Sequence, residues 1–381
     1  TIKFLDYNII DLIWSSKPNI EYSDIFDHSI KFAGTDRIEK LDNFAKIFQN
    51  KNIDHYLVTG LDNIAWLLNI RANDISYTPL VFSYLLISKK SEPSLYINID
   101  KIDDELKLKL EEFINISSIN KVENIFSKLR KYEIVGLDFS STTYFFLNIL
   151  EENNIKYKDI RNPIIFSKAI KNQTEQTGAL NANLRDGVSL TRFIYWLKNE
   201  MDLNSTSELS ASRYLKSLRV KNDLFHSLSF DTISAFGKNA ALPHYRVDEI
   251  SNTNFKNDNI YLVDSGAQYF DGTTDITRTI IIGKATKEQK DMFTRVLKGH
   301  IALSSHVFNK GTKGTEIDYL ARSSLNEIGC DYDHGTGHGI GSFLSVHEAP
   351  QRIAKKTMFD SVELVPGMII SNEPGYYKLN E

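Results

Sequence analysis

The chain has 381 residues, 41% of them hydrophobic and 25% charged, and a formal net charge of −4. Such values suit a globular protein of two or three domains and exclude the strong positive field that would draw nucleic acid or an acidic membrane. A single cysteine, Cys330, excludes an intrachain disulfide and a cysteine-rich zinc site, and is compatible with a reducing cytoplasm.

No apolar run approaches the length of a membrane span; Pro79 to Ser88 is among the longest. The opening residues Thr1-Ile2-Lys3-Phe4-Leu5-Asp6 lack the basic-then-apolar order of a signal peptide and lack an initiator Met, so a fragment or processed product is expected. Residues 1–30 carry Trp14, Pro18 and many polar groups and read as a linker from something upstream. A helix is predicted from about Asp36 to Asn50, with Ile38, Leu41, Ala45 and Phe48 at helical spacing. Strands are predicted at His55 to Thr59, Phe82 to Ser88, Ser94 to Ile99 and Glu133 to Asp138, with helices near Lys101 to Ile114 and Val122 to Lys131. That alternation predicts an α/β domain over 31–168.

The second block, 169–381, opens with a long helix striped by Leu190, Phe193, Ile194 and Leu197. Another begins at Thr286, with Gln289 completing a capping box and Phe293, Val296, Leu297, His300 and Ile301 on one face. A third is predicted from Thr315 as N-cap to about Ile328, stopped by Gly329. Strands are predicted at Asn259 to Ser265, Ile276 to Ile282 and Met368 to Asn372.

The aliphatic strand Ile260-Tyr261-Leu262-Val263 delivers Asp264 at its end, and Asp275 follows eleven residues later. Asp271-Gly272 between them is a turn signal, and a hairpin near Phe270 would bring the two carboxylates roughly opposite each other. They would repel unless a cation lay between them; taken alone, they read equally well as surface loop aspartates. His334-Gly335-Thr336-Gly337-His338-Gly339-Ile340-Gly341 sets two histidines among four glycines, too little side chain to be core. His347 follows, so three of the nine histidines fall between 334 and 347. Met368-Ile369-Ile370-Ser371-Asn372-Glu373 again ends an apolar run in a carboxylate; alone, Glu373 reads as a solvated residue before a turn. His244, in Leu242-Pro243-His244-Tyr245-Arg246, carries little signal by itself. Together, two aspartates, a glutamate and several histidines on strand ends and glycine loops suit divalent Mn²⁺, Co²⁺ or Zn²⁺. Paired ions about 3.5–4 Å apart can share a bridging carboxylate and activate a water.

The ordered motifs Val-Asp-Ser-Gly, Thr-Thr-Asp-Ile-Thr-Arg, His-Gly-Thr-Gly-His-Gly-Ile-Gly, Val-His-Glu-Ala-Pro and Asn-Glu-Pro-Gly-Tyr-Tyr resemble those of the pita-bread metallopeptidases. Within that family they resemble the long cytosolic aminopeptidase P branch. Pro243-His244-Tyr245, Gln268-Tyr269, Leu297-Lys298-Gly299-His300 and the segment Leu61 to Asn69 are close to that branch. The resemblance implies a creatinase-type N-terminal α/β domain followed by an α+β pita-bread catalytic domain. It implies a cytoplasmic enzyme with two divalent metal ions, Mn²⁺ first and Co²⁺ or Zn²⁺ as alternatives. Asp264, Asp275, His338 and Glu373 would be the metal ligands, with Asp275 bridging. His244, His334, His347 and Glu373 would act on the substrate, a peptide beginning Xaa-Pro, cleaved by a hydroxide held between the ions. Glu373 would handle the water's proton, His347 and His244 would meet the oxyanion, and His334 the proline end. A homodimer is compatible with it, and neither nucleic acid nor a membrane is expected as partner. The family has a further bridging Glu after the Asn-Glu-Pro-Gly turn and an upstream domain in its long form. Nothing to Glu381 matches that Glu, so truncation at both ends is expected, with one ion held less well. A catalytically impaired binding relative, an Xaa-Pro dipeptidase and a methionine aminopeptidase are the alternatives.

Overall fold

The structure, a computed structural model, describes residues 5, 7–49, 51–355 and 361–379. Short runs of aliphatic and aromatic residues in the first half build a six-stranded sheet. Its strands are β1 (His55–Val58), β2 (Tyr84–Ser88), β3 (Ser94–Ile97), β4 (Asn115–Ser118), β5 (Ile134–Leu137) and β6 (Lys156–Asp159), in the order β4-β3-β2-β1-β5-β6. β1 pairs antiparallel with β2 and parallel with β5, and all four of its residues are buried, as expected for a strand covered on both faces. Leu41, Phe44 and Phe48 of helix Arg37–Gln49 cover one face, and Phe146 and Leu150 of helix Tyr144–Glu152 cover the other. Ile38, expected on the packing face, is exposed, and Phe44 packs instead. Asn50, the expected helix end, lies outside the described residues, as do Thr1–Phe4 and Asp6. The helix expected over Val122 to Lys131 is a 3-10 turn, Ile119–Asn124, followed by turns. There Ile125 and Phe126 are both buried, packed in the cluster that also holds Phe146 and Leu150. From Ser23 onward the stretch read as irregular is tied down. Ser23 donates from N and Oγ to Asp74 at 2.7 and 2.9 Å, and Phe26–Asp27 pairs with Ile70–Arg71.

In the second half, helix Gln173–Asn199 starts at an Asn172–Glu175 capping box and buries Leu190, Phe193 and Leu197 against Tyr261 and Val263. Helix Glu208–Arg219, not foreseen, packs beside them through Ala211 and Leu215. Here β8 (Ile233–Phe236), β9 (Asn259–Ser265) and β12 (Ile276–Ile282) form one antiparallel sheet. β7 (Phe225–Leu228), β10 (Ala267–Tyr269) and β11 (Gly272–Thr273) form another, and β13 (Gly337–Gly339) pairs with β14 (Glu348–Ile353). Met368 to Asn372, expected as a strand, makes only isolated bridges, Met368 to Ile170 and Ile370 to Gly339. Helix Lys287–Ser304 has the expected Thr286–Gln289 box. Its contact with helix Gly314–Asn326 runs through Gly299, where a Cβ would stand 2.1 Å from the Ala321 carbonyl oxygen. Phe293, Leu297 and Ile301, expected to pack, are exposed. The third helix is capped from Lys313, not Thr315, and Gly329 ends that region with φ 73° as expected. Among the described residues no helix is long and apolar enough to cross a membrane.

Candidate metal centre

The aliphatic alternation of β9 and β12 sets their register, and the register sets the first carboxylate pair. Asp264 faces Thr277 directly, and Asp275 lies two residues from Thr277, so both carboxylates project from the same face. Gly266 permits the turn between them: a Cβ there would meet the Thr274 carbonyl oxygen at 1.9 Å. The chain reverses at Phe270–Asp271, close to the expected place. The second pair repeats this geometry. His338 on β13 lies beside Ser371, whose N donates to the His338 carbonyl at 2.9 Å, and Glu373 lies two residues on, its N donating to the Thr336 carbonyl at 2.8 Å. Gly337 allows the strands to touch, since a Cβ there would stand 2.0 Å from the Ser371 carbonyl oxygen.

The two pairs converge. His338 Nε2 lies 3.2 Å from Asp275 Oδ2 and 3.0 Å from Glu373 Oε1, without good hydrogen-bond alignment to either. Its Nδ1 donates to the Gly339 carbonyl at 2.8 Å, which turns Nε2 toward the carboxylates. Burial alone would lower the His338 pKa; Asp275 and Glu373 outweigh it and push it up to about 10. Asp264 is pushed up to about 7, first by burial and then by the neighbouring Asp275, against the Thr277 hydroxyl. Burial would also raise Glu373, but His338 and the Ser371 hydroxyl, 2.6 Å from Oε1, hold it below the usual carboxylate range. Asp264 Oδ1 and His338 Nε2 are buried, metal-capable atoms with no hydrogen-bond partner. Three carboxylates around one imidazole, with two such atoms unpaired, fit a divalent cation in the place of the proton.

The other expected histidines line the rim. The His347 ring stands 4.3 Å from that of His338, and Asp275, His338 and His347 each offer an atom within 4.8 Å of the others. It is exposed on one side; crowding by the protein on the other, then the charge of His338, lowers its pKa. His244 is exposed on the loop after the 3-10 turn Gly237–Ala241, near enough for its charge to act on His347. His334 shares a 2.8 Å hydrogen bond between Nε2 and Tyr377 Oη, and its charge acts on Glu373. Sequence reasoning missed Ser371 and Tyr377. Ser371 was findable: a hydroxyl two residues before a strand-end carboxylate shares its face. His300, part of the Leu297-Lys298-Gly299-His300 motif, places Nδ1 3.0 Å from the Asn372 carbonyl oxygen and so steadies the turn before Glu373.

Two family models match the chain: Metallopeptidase family M24 over residues 179–381, and Creatinase/Prolidase N-terminal domain over residues 16–175. The chain is 40% identical over 384 residues to a probable Xaa-Pro aminopeptidase P of Neosartorya fischeri, covering 98% of this chain and 59% of the relative. A relative of the same description from Botryotinia fuckeliana is 39% identical over 391 residues, with the same coverage. The chain thus spans 59% of the length of these curated relatives. Among solved structures it is similar to an X-prolyl aminopeptidase of Caenorhabditis elegans, described as a cytosolic enzyme with a di-nuclear active site. That likeness has a TM-score of 0.92 and 34% identity, and covers 99% of this chain and 62% of the other. The prolidase of Pyrococcus horikoshii follows at a TM-score of 0.71 and 25% identity, covering 90% and 92%. An α/β domain followed by a pita-bread domain is therefore the architecture, as expected.

Proposed function

Because the chain belongs to metallopeptidase family M24, we propose that it is a metal-dependent aminopeptidase that releases the first residue of peptides whose second residue is proline. The observation that carries this reading is the convergence of Asp264, Asp275, His338 and Glu373 around two unpaired buried ligand atoms. These four residues would hold two divalent ions, with Asp275 shared. Bound ions would supply Lewis acidity toward the peptide carbonyl and make a water more acidic.

The remaining steps belong to the side chains. Glu373 is ionised at neutral pH, for the reasons above, and accepts the water's proton. His347, at the rim beside His338, donates a hydrogen bond to the carbonyl oxygen as it gains charge, and His244 approaches from the same side. His334, oriented by Tyr377, meets the proline end. Manganese is the ion we favour, on the carboxylate-rich donor set. A cytoplasmic location accords with the description of the Caenorhabditis elegans neighbour. Likeness to that aminopeptidase exceeds likeness to the prolidase, which favours longer peptides over dipeptides.

The test uses the full-length protein, stripped of metal and reloaded with Mn²⁺, Co²⁺ or Zn²⁺. Release of arginine from an Arg-Pro-Pro-initiated peptide, with little action on Arg-Pro, is the expected result. Cleavage of Arg-Pro alone would make it a dipeptidase. Metal-dependent peptide binding with no cleavage would make it a binding module, and cleavage in chelator would overturn the reading.

A further inference from the structure

Among the described residues no side-chain hydrogen bond holds the His347 ring, so the backbone around it must set its place. Gln268 and Thr273 hold Leu344 from within the same domain. Further grips come from the first domain and the junction after it. Arg71, 1% exposed, donates from Nε to the Phe343 carbonyl at 2.7 Å and from Nη2 to the Ser342 carbonyl at 3.3 Å. Its Nη1 is spent on the Ala65 and Ile70 carbonyls of its own domain. Phe343 has φ 50°, a left-handed backbone that a bulky residue adopts only where its surroundings impose it. Phe26 and His28, also from the first domain, pack against its ring. Beyond His347, the adjoining Glu348 is buried. It accepts from Lys168 at 2.6 Å and from Lys171, and Lys168 also reaches Asp62 at 2.9 Å.

We propose that Arg71, Lys168 and Lys171 are positioning residues for His347, so that the first domain and the junction after it brace the catalytic loop on both sides of that histidine. The inference rests on the proposed function for what His347 does. A guanidinium can hold two loop carbonyls and two domain carbonyls at once because its donors form a rigid fork; an ammonium cannot. Lys168, Lys171 and Glu348 are buried, and the partly exposed Asp62 balances their charge; the group resists separation because a lysine or Glu348 left behind would be a buried unpaired charge.

The test is Arg71→Lys in the full-length protein, with Leu150→Ala as control. Leu150 is buried on the far face of the first domain's sheet. Metal content, kcat, KM and the ¹⁵N-histidine imidazole signals are measured. Misplacing a group by about 1 Å can cost about a hundredfold in rate. Arg71→Lys should therefore lower kcat about 10- to 100-fold with metal content and KM little changed, and should move the His347 signal but not that of His338. Leu150→Ala should lose melting temperature while keeping kcat and the His347 signal. If Arg71→Lys loses no more kcat than the control and the His347 signal stays put, the inference is wrong. If wild type cleaves no Xaa-Pro peptide, the proposed function fails, and the His347 signal alone decides the brace. Should Arg71→Lys not fold, Lys171→Met replaces it, because Lys168 still pairs with Glu348 there.

Discussion

Gly337→Ala tests the metal centre most directly, because it adds a single methyl group between the strands that carry His338 and Glu373. That methyl would stand 2.0 Å from the Ser371 carbonyl oxygen. Moving from 2.0 Å to the 3.4 Å at which ordinary contact begins requires a shift of 1.4 Å. The strands are joined there by Ser371 N to the His338 carbonyl and His338 N to Ser371 Oγ, both 2.9 Å. Losing both costs about 2 kcal/mol, at about 1 kcal/mol each. The 3.0 Å spacing of His338 Nε2 and Glu373 Oε1 opens with them, whereas ligand positions tolerate only about 0.2 Å. Calorimetric titration of Mn²⁺ into metal-free protein should show affinity reduced at least about tenfold. Gly187→Ala is the comparison. It lies in helix Gln173–Asn199 with nothing within 4 Å of the added carbon, and should stabilise by about 0.5–1 kcal/mol with metal binding unchanged. A Gly337→Ala protein that takes up Mn²⁺ like wild type would refute the reasoning.

Three further outcomes are expected. His338→Ala should lower metal content, whereas His347→Ala should keep it and lower turnover by about 10²–10³; equal metal loss in the two, by elemental analysis, would show that His347 is a ligand. His28, packed on Phe32 and Phe343, has its pKa lowered to about 2 by burial, then by Arg71 and Lys40. A folded pKa below the unfolded value means stability is present above about pH 6.5 and is lost below it, about 2 kcal/mol by pH 5. His28→Phe should remove that slope in denaturant titrations at the two pH values, and an unchanged slope would count against it. Asp186 and Arg219 form a fully buried pair with bonds of 2.7 and 2.8 Å. Asp186→Ala leaves the guanidinium unpaired and should cost about 3–5 kcal/mol in chemical unfolding; a loss under about 1 kcal/mol would show that the pair is solvated.

Local patterns were the legible part of this chain. The Thr286–Gln289 box, the Leu190–Phe193–Leu197 stripe and the carboxylates at the ends of aliphatic strands all depend on neighbours a few residues away. Helix Lys287–Ser304 shows the limit: Phe293, Leu297 and Ile301 form its apolar stripe, yet contact with helix Gly314–Asn326 runs through Gly299, because close backbone approach decides that packing. Helix Glu208–Arg219 was missed because it is polar and its cap pairs two serines, Ser207 and Ser210. Four histidines and three carboxylates of the site were named from motifs. What holds them was not, since Arg71 reaches Phe343 across 272 positions and Lys171 reaches Glu348 across 177. Separations of that size leave no periodic trace in a sequence.

Each proposed ligand pair sits diagonally across two antiparallel partners, two residues from the one directly opposite. Because side chains alternate, slipping β12 by one residue against β9 would bring Thr274 or Ile276 into the place of Asp275 and turn the carboxylate away. A slip by two would keep the face but displace the ligand by about 7 Å. A pair of ions held by all four side chains would therefore bind only chains whose strands have paired correctly. By mass action, an ion at a hundred times its dissociation constant favours that pairing by about 2.7 kcal/mol over any mispaired form. On the proposed reading, the metal would thus act as a proofreader of strand pairing.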